Sequence, residues 1–149
     1  MTSFWRTWMT VWCWAVLGFG LLLAAACVEA TSGPARLLFA ALHGPELDLD
    51  AQMRFTLGVL GAVSIGWSVT FMAALRAANL LAGDAARPVW RLVALSVVSW
   101  FAVDTPLSIA TGYDLNAVPN LVFLAAFLLP LVRSGVLGGS LPAPRAVTP

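Results

Sequence analysis

Four long apolar stretches divide the chain, and each is long enough to cross a bilayer as a helix. A membrane-spanning α-helix needs roughly 20 mostly apolar residues. No arginine falls in the middle of these stretches, as the cost of placing a charge in hydrocarbon predicts. The pattern therefore predicts an all-α, polytopic membrane protein built as a bundle of four transmembrane helices. The predicted spans are about 5–28, 55–75, 89–110 and 118–136.

The composition indicates that lipid is the solvent for most of the surface. Of the 149 residues, 60% are hydrophobic and only 10% are charged. A soluble domain carries about 25% charged residues, so the lipid bilayer is the expected partner of this chain. There is no lysine and no basic run, which argues against a nucleic-acid partner. We expect one transmembrane domain, 1–136, and a flexible tail, 137–149.

The charges at the ends of the spans predict an orientation. Membrane proteins keep an excess of Lys and Arg on the cytoplasmic side. Six of the eight arginines here fall on one side of the four spans, and six of the seven acidic residues fall on the other. We therefore expect both termini in the cytoplasm. The arginines on that side are Arg6, Arg76, Arg87, Arg91, Arg133 and Arg145.

The first span also resembles a lipoprotein signal peptide, because Arg6 and an apolar run precede Ala24-Ala25-Ala26-Cys27. Cleavage there would leave Cys27 as a lipidated first residue. The usual Leu three places before the Cys is absent, and the run is long. Its start also carries four tryptophans, which prefer the headgroup level. We expect a retained span anchored by tryptophan, and the lipidation of Cys27 stays open. The tryptophans are Trp5, Trp8, Trp12 and Trp14.

The connection between the first two spans is too long for a tight turn. Gly33-Pro34 and Gly44 are typical of a helix start and a helix end, and they enclose an apolar segment. This predicts a short interfacial helix that lies on the membrane surface or forms a lid over the bundle. Its apolar face is expected to contain Leu37, Leu38, Ala41 and Leu42.

The second span carries small residues at every fourth position, which favours close helix packing in lipid. This stripe includes Gly58, Ala62 and Gly66 and continues to Thr70 and Ala74. We expect it to pack inside the chain or to form the face of a homo-oligomer.

The third span contains an ionisable residue, Asp104, which is by default a candidate functional group. Ser96, Trp100, Asp104 and Ser108 share one helix face, and Asn116 and Asn120 at the start of the fourth span should lie at the same depth. Arg54 at the start of the second span is the expected charge partner of Asp104. The sequence predicts a structural polar cluster or an outward-facing binding or catalytic pocket. Its candidate residues are Arg54, Trp100, Asp104, Ser108, Asn116 and Asn120.

Few residues carry metal or covalent chemistry. His43 is the single histidine, which excludes bis-His haem ligation and a multi-His metal site within one chain. Cys13 and Cys27 would stand about 21 Å apart on one helix, too far for a disulfide. No GxSxG elbow, P-loop or HExxH sequence occurs. We expect no cofactor and no metal. The acidic run Glu46, Asp48 and Asp50 is expected to be a solvated loop.

The order of these features resembles the DoxX-like group of small bacterial four-helix membrane proteins. The likeness rests on Gly33-Pro34 and its half-helix, on Arg54 at the start of a Gly-rich span, and on the acid Asp104 near the outer end of the third span. The segment 100–108, followed by Asn116, resembles further bacterial membrane proteins. The resemblance implies a compact bundle in the bacterial inner membrane that binds an apolar ligand or a partner. It transfers no catalytic residue.

The function expected from the sequence is non-enzymatic. The protein would be an accessory subunit of a larger membrane complex, or would bind a lipid-like molecule in an outward-facing pocket. One alternative is a membrane enzyme that acts on an apolar substrate, with Asp104 transferring a proton. Another is a small transporter that works as an oligomer.

Overall fold

The computed structural model describes residues 1–44, 48–81 and 83–138, and within them the protein is helical without a strand. Short 3-10 turns lie before α2, α4 and α5. The helices are α1 (Ser3–Ala25), α2 (Gly33–His43), α3 (Ala51–Leu80), α4 (Arg87–Ala110) and α5 (Ala117–Arg133).

Four helical segments are long and apolar enough to cross a membrane: α1, α3, α4 extended to Asp84–Ala110, and α5 extended to Asp114–Arg133. This confirms the all-α, four-helix transmembrane bundle predicted from the sequence. With 30 residues, α3 is about 45 Å long, which exceeds the thickness of a hydrocarbon core of about 30 Å. Of the predicted tail, Leu137 packs against the core and its carbonyl accepts a hydrogen bond from Arg91. Residues 139–149 lie outside the described residues.

The chain runs up and down, so each end of the bundle gathers its own set of charges. We call the end formed by residues 1–6, 76–81, 83–91 and 133–137 the basic end, because it carries five of the described arginines. We call the opposite end the polar end; it holds residues 26–44, 48–54 and 104–116. The acids Glu29, Asp104 and Asp114 lie at the polar end.

Trp12 lies at the centre of the main core and is 4% exposed. Its ring packs against Phe71 of α3 and against Phe123 and Phe127 of α5, with centroids 4.9 to 5.7 Å apart. Trp12 is therefore a core side chain, and the headgroup-level anchor stays a prediction. A second, smaller core at the polar end joins α1, α2 and α3 around Leu23, Ala35 and Leu57.

Pro130 explains why Trp8 of α1 points at the backbone of α5. A proline inside a helix has no N–H, which leaves the carbonyl four residues earlier without its usual donor. That carbonyl belongs to Ala126, and Trp8 Nε1 donates to it at 2.8 Å. One turn away, Trp12 Nε1 donates to the Phe123 carbonyl at 3.0 Å. These bonds connect α1 to α5.

α1 and α3 make the most extensive helix contact, with a seven-residue repeat on both helices. Ser68 donates to the Cys13 carbonyl at 2.7 Å. Gly20 lies seven residues after Cys13 on α1, and Gly61 lies seven residues before Ser68 on α3. These two glycines are in close contact: a Cβ added to Gly61 would lie 2.6 Å from the Gly20 carbonyl oxygen. Seven more residues bring the Cys27 thiol to the Arg54 carbonyl at 3.2 Å. A seven-residue repeat is typical of helices that pack as a left-handed pair.

The predicted stripe of small residues on α3 is only partly correct. Gly58 faces the Cys27 sulfur, but Ala62 and Gly66 are exposed. The close approach to α1 occurs instead at Gly61, because packing follows the seven-residue repeat and the stripe follows a four-residue repeat. The prediction that Ala62 and Gly66 pack inside this chain is therefore wrong. That they form the face of a homo-oligomer stays a prediction.

The short helix between the first two spans is present as α2, and it begins and ends as predicted. Pro34 lies in its first turn, and Gly44 ends it with φ +104°. The side that packs on the bundle is different from the predicted face, since Ala35 is buried and Leu37 is 74% exposed. Asp50, in the predicted acidic loop, caps α3 by accepting the Met53 N–H at 2.7 Å. Glu46 lies outside the described residues.

Candidate functional site

A polar cluster joins α4 to the start of α5 near the polar end. Asn120 Nδ2 donates to Asp104 Oδ2 at 2.6 Å and to Thr105 Oγ1 at 3.0 Å. Asn116 Nδ2 donates to the same Asp104 Oδ2 at 3.2 Å and to Ser108 Oγ at 2.9 Å. Asn120 is 5% exposed, whereas Asp104 is half-buried. The cluster therefore reaches from the helix interface toward the surface of the bundle.

The helical periodicity of the two segments accounts for the cluster. Asp104 and Ser108 stand one turn apart on α4, and Asn116 and Asn120 stand one turn apart at the start of α5. Ser108 also donates to the Asp104 carbonyl at 2.8 Å. Thr105 is a member that the sequence analysis missed, and its position beside Asp104 was the available signal.

In this cluster the amide donors of both asparagines are occupied, whereas only one oxygen of the Asp104 carboxylate accepts hydrogen bonds from described residues. Each primary amide has two N–H donors, and both donors of Asn116 and both of Asn120 are occupied. Both bonds to the carboxylate end on Oδ2 of Asp104. Oδ1 accepts no hydrogen bond from the residues that the structure describes. The cluster thus holds the Asp104 carboxylate in place and leaves one of its oxygens able to accept a hydrogen bond.

Arg54 lies elsewhere, so the predicted pair between Arg54 and Asp104 is wrong. Its guanidinium forms an ion pair with Glu29 and donates to the Ala26 carbonyl at 3.0 Å. Arg36 binds the same Glu29 carboxylate at 3.3 Å. The seven-residue repeat between α1 and α3 is the reason, because it places the start of α3 against the end of α1. Asp104 therefore has no cationic partner among the described residues.

Trp100 also lies outside the hydrogen-bonded cluster. It is one turn closer to the basic end than Asp104, and its ring lies 6.1 Å from the ring of Trp67 on α3. Trp67 Nε1 in turn donates to Ser96 Oγ at 3.4 Å. Trp100 therefore belongs to the contact between α3 and α4. Of the six predicted site residues, the structure brings together Asp104, Ser108, Asn116 and Asn120.

α2 contacts the loop that precedes the cluster residue Asn116. His43, at the end of α2, lies with Nδ1 2.7 Å from the Gly112 carbonyl oxygen, so the ring is a donor there. The same ring stacks on Tyr113 with centroids 4.6 Å apart. Tyr113 directly precedes the turn Asp114–Asn116. The single histidine thus holds α2 beside the segment that positions Asn116.

The chemistry available at the cluster follows from these contacts. Asp104 is its one ionisable group, and within the described residues no group of three or more His, Cys, Asp or Glu side chains is placed to hold a metal ion. The free oxygen can accept a hydrogen bond or a proton.

No family model, curated protein or solved structure matches this chain. The resemblance to the DoxX-like group therefore stays a prediction.

Proposed function

We propose that this protein is a non-enzymatic membrane bundle that binds a lipid-like molecule at its polar end. The ligand's polar head would carry a hydrogen-bond donor, such as an amine. The observation that carries the proposal is the Asp104 carboxylate, which has one oxygen fixed by two asparagine amides and one oxygen that has no hydrogen-bond partner among the described residues. A carboxylate that faces a donor or a cation gains a charge-assisted hydrogen bond.

The surroundings of Asp104 support an apolar tail on the ligand. Val103 and Leu107 flank Asp104 on α4 and are exposed, as is Leu121 next to Asn120 on α5. A hydrocarbon chain can lie along these side chains while the head reaches the carboxylate. A small water-soluble ligand would gain nothing from them.

We infer further that the polar end faces away from the cytoplasm of a bacterial cell and that the bundle lies in its inner membrane. The support is the positive-inside rule, since Arg6, Arg76 and Arg133 all lie at the basic end. Reporter fusions test this orientation: a reporter at Asp84 is expected to be active in the cytoplasm, and one at Asp48 outside it. The reverse pattern would reject the orientation.

The binding proposal is tested with the variant Asp104→Asn. The asparagine Oδ1 can still accept both amide bonds, but its Nδ2 replaces the free acceptor with a donor. In mild detergent, phosphatidylethanolamine, whose ammonium is a donor, is expected to raise the melting temperature of the wild-type protein more than phosphatidylcholine does. At a free lipid concentration of about 100 times Kd, binding would raise the free energy of unfolding by about 2.7 kcal/mol.

The matched control is Asp114→Asn, an exposed acid at the same end. It should behave like the wild type, whereas Asp104→Asn should lose the difference between the two lipids. An equal response of the wild type to both lipids, or an undiminished difference in Asp104→Asn, would reject the proposal.

A second candidate function is proton transfer by Asp104, in an enzyme for apolar substrates or in a small oligomeric transporter. It is favoured because this carboxylate has no cationic partner in the part of the chain that the structure describes. Proteoliposomes with a trapped pH dye distinguish the two functions. Proton movement that Asp104→Asn abolishes would favour transport over lipid binding.

A further inference from the structure

A groove between α1 and α3 opens at the basic end, far from Asp104. It encloses a volume of about 150 Å³. Its polar lining residues are Arg6 and Thr10 of α1 and Arg76 and Asn79 of α3. The groove therefore has basic side chains at the level where α1 begins.

The seven-residue repeat explains why the two arginines lie opposite each other. The repeat pairs Cys13 with Ser68. One further step toward the basic end pairs Arg6 with Leu75, the neighbour of Arg76. The packing of α1 on α3 thus brings the positions of Arg6 and Arg76 to nearly one level of the groove.

These two positive charges have no counter-ion in the described part of the chain. Arg6 donates to the Met1 carbonyl at 3.3 Å, and neither Arg6 nor Arg76 forms an ion pair there. The acid at this end, Asp84, is paired with Arg87 at 2.8 Å. The segment 139–149 contains no Asp or Glu. Two like charges at one level repel each other, so an anion between them would be stabilised from both sides.

From Arg6 toward Trp14 the lining of the groove also contains apolar side chains. They include Met9 and Trp14 of α1 and Met72 of α3. From Arg6 to Trp14 the helix rises about 12 Å, which is the length of a substantial part of an acyl chain. A lining that combines basic and apolar side chains matches an amphipathic anion better than a free phosphate ion.

We propose that this groove binds an anionic phospholipid of the leaflet at the basic end. The lipid phosphate lies between Arg6 and Arg76, which donate charge-assisted hydrogen bonds to it. Thr10 and Asn79 border the headgroup, and an acyl chain follows Met9, Met72 and Trp14. Basic pockets between transmembrane helices are a known means of selecting anionic headgroups. This site is separate from Asp104 and selects a lipid by its negative charge.

Native mass spectrometry of the detergent-solubilised protein tests the proposal. With equal amounts of phosphatidylglycerol and phosphatidylcholine, the wild-type protein is expected to retain the anionic lipid at least tenfold more. The double variant Arg6→Gln/Arg76→Gln should retain both lipids equally. Glycerol phosphate, which has the headgroup chemistry without the chains, should not displace phosphatidylglycerol.

The control variant Arg133→Gln removes an exposed arginine from the last turn of α5 at the same end. It should keep the preference for phosphatidylglycerol, as should Asp104→Asn, so failure here is distinguishable from failure of the polar-end site. The proposal is overturned if the wild type shows no preference, if Arg133→Gln loses it as strongly as the double variant, or if glycerol phosphate displaces the lipid.

Discussion

At the residue scale, proline and tryptophan act as a pair in this bundle. Pro130 leaves the Ala126 carbonyl without a helical donor, and the indole of Trp8 supplies one from α1. Lipid offers no water to replace such a donor, so an unpaired carbonyl is costly there. The indole therefore satisfies the backbone of α5 and fixes the position of α1 against it.

The variant Trp8→Phe tests this pairing. It keeps an aromatic side chain but removes the N–H, so it should lower the free energy of unfolding by about 1 kcal/mol. In a Pro130→Ala background the Ala126 carbonyl regains an N–H donor from its own helix, and Trp8→Phe should then cost close to nothing. Unfolding in mixed micelles measures both values. The control Trp14→Phe, at an exposed position, should have little effect. Equal costs in the two backgrounds would contradict the pairing.

Part of the site could be predicted from the sequence, and the partner of one residue, Arg54, could not. Asp104, Ser108, Asn116 and Asn120 could be grouped because each pair is separated by one helical turn and the loop between the pairs is short. The partner of Arg54 could not be found in this way. Several acids stand at the polar end, and only the contact between α1 and α3 selects Glu29 among them.

At the element scale, the pair formed by α1 and α3 carries much of the packing. α3 has small residues at a four-residue spacing and also Gly61 and Ser68 seven residues apart, and the sequence alone does not select the packing face between them. The selection comes from α1, whose Gly20 stands opposite Gly61 and leaves room for a close approach. Span number and span positions were predictable from hydropathy, whereas the packing face depended on the partner helix.

Two glycine substitutions in α3 test this contact and provide their own control. A Cβ at Gly61 would lie 2.6 Å from the Gly20 carbonyl oxygen and closer still to the Ala24 nitrogen, so both backbones must move apart. Gly61→Ala should destabilise the bundle by about 1 to 3 kcal/mol, the usual range for overpacking. Gly66→Ala places its Cβ where nothing lies within 4 Å and should be neutral or slightly stabilising. Thermal unfolding in detergent compares the stabilities of the two variants. An equal loss of stability in both would contradict the register in which Gly20 of α1 lies opposite Gly61 of α3.

At the scale of the whole molecule, the two ends of the bundle differ in charge and in architecture. The basic end holds arginines above the aromatic core around Trp12. The polar end holds the smaller core under α2 and the hydrogen-bonded cluster around Asp104. The sequence predicted this division from the spacing of charges. It did not predict the groove at the basic end, because that groove depends on the register between α1 and α3.

The central claim concerns Asp104 as a ligand-binding group in an otherwise closed network. The most direct measurement is the mass of the molecules that stay bound when the protein is extracted from its own membrane in mild detergent. The wild-type protein and Asp114→Asn are expected to carry the same donor-bearing lipid-like molecule. Asp104→Asn should fold with the same melting temperature in ligand-free detergent and should lack that molecule. A folded Asp104→Asn protein that carries it in the same amount would contradict the account.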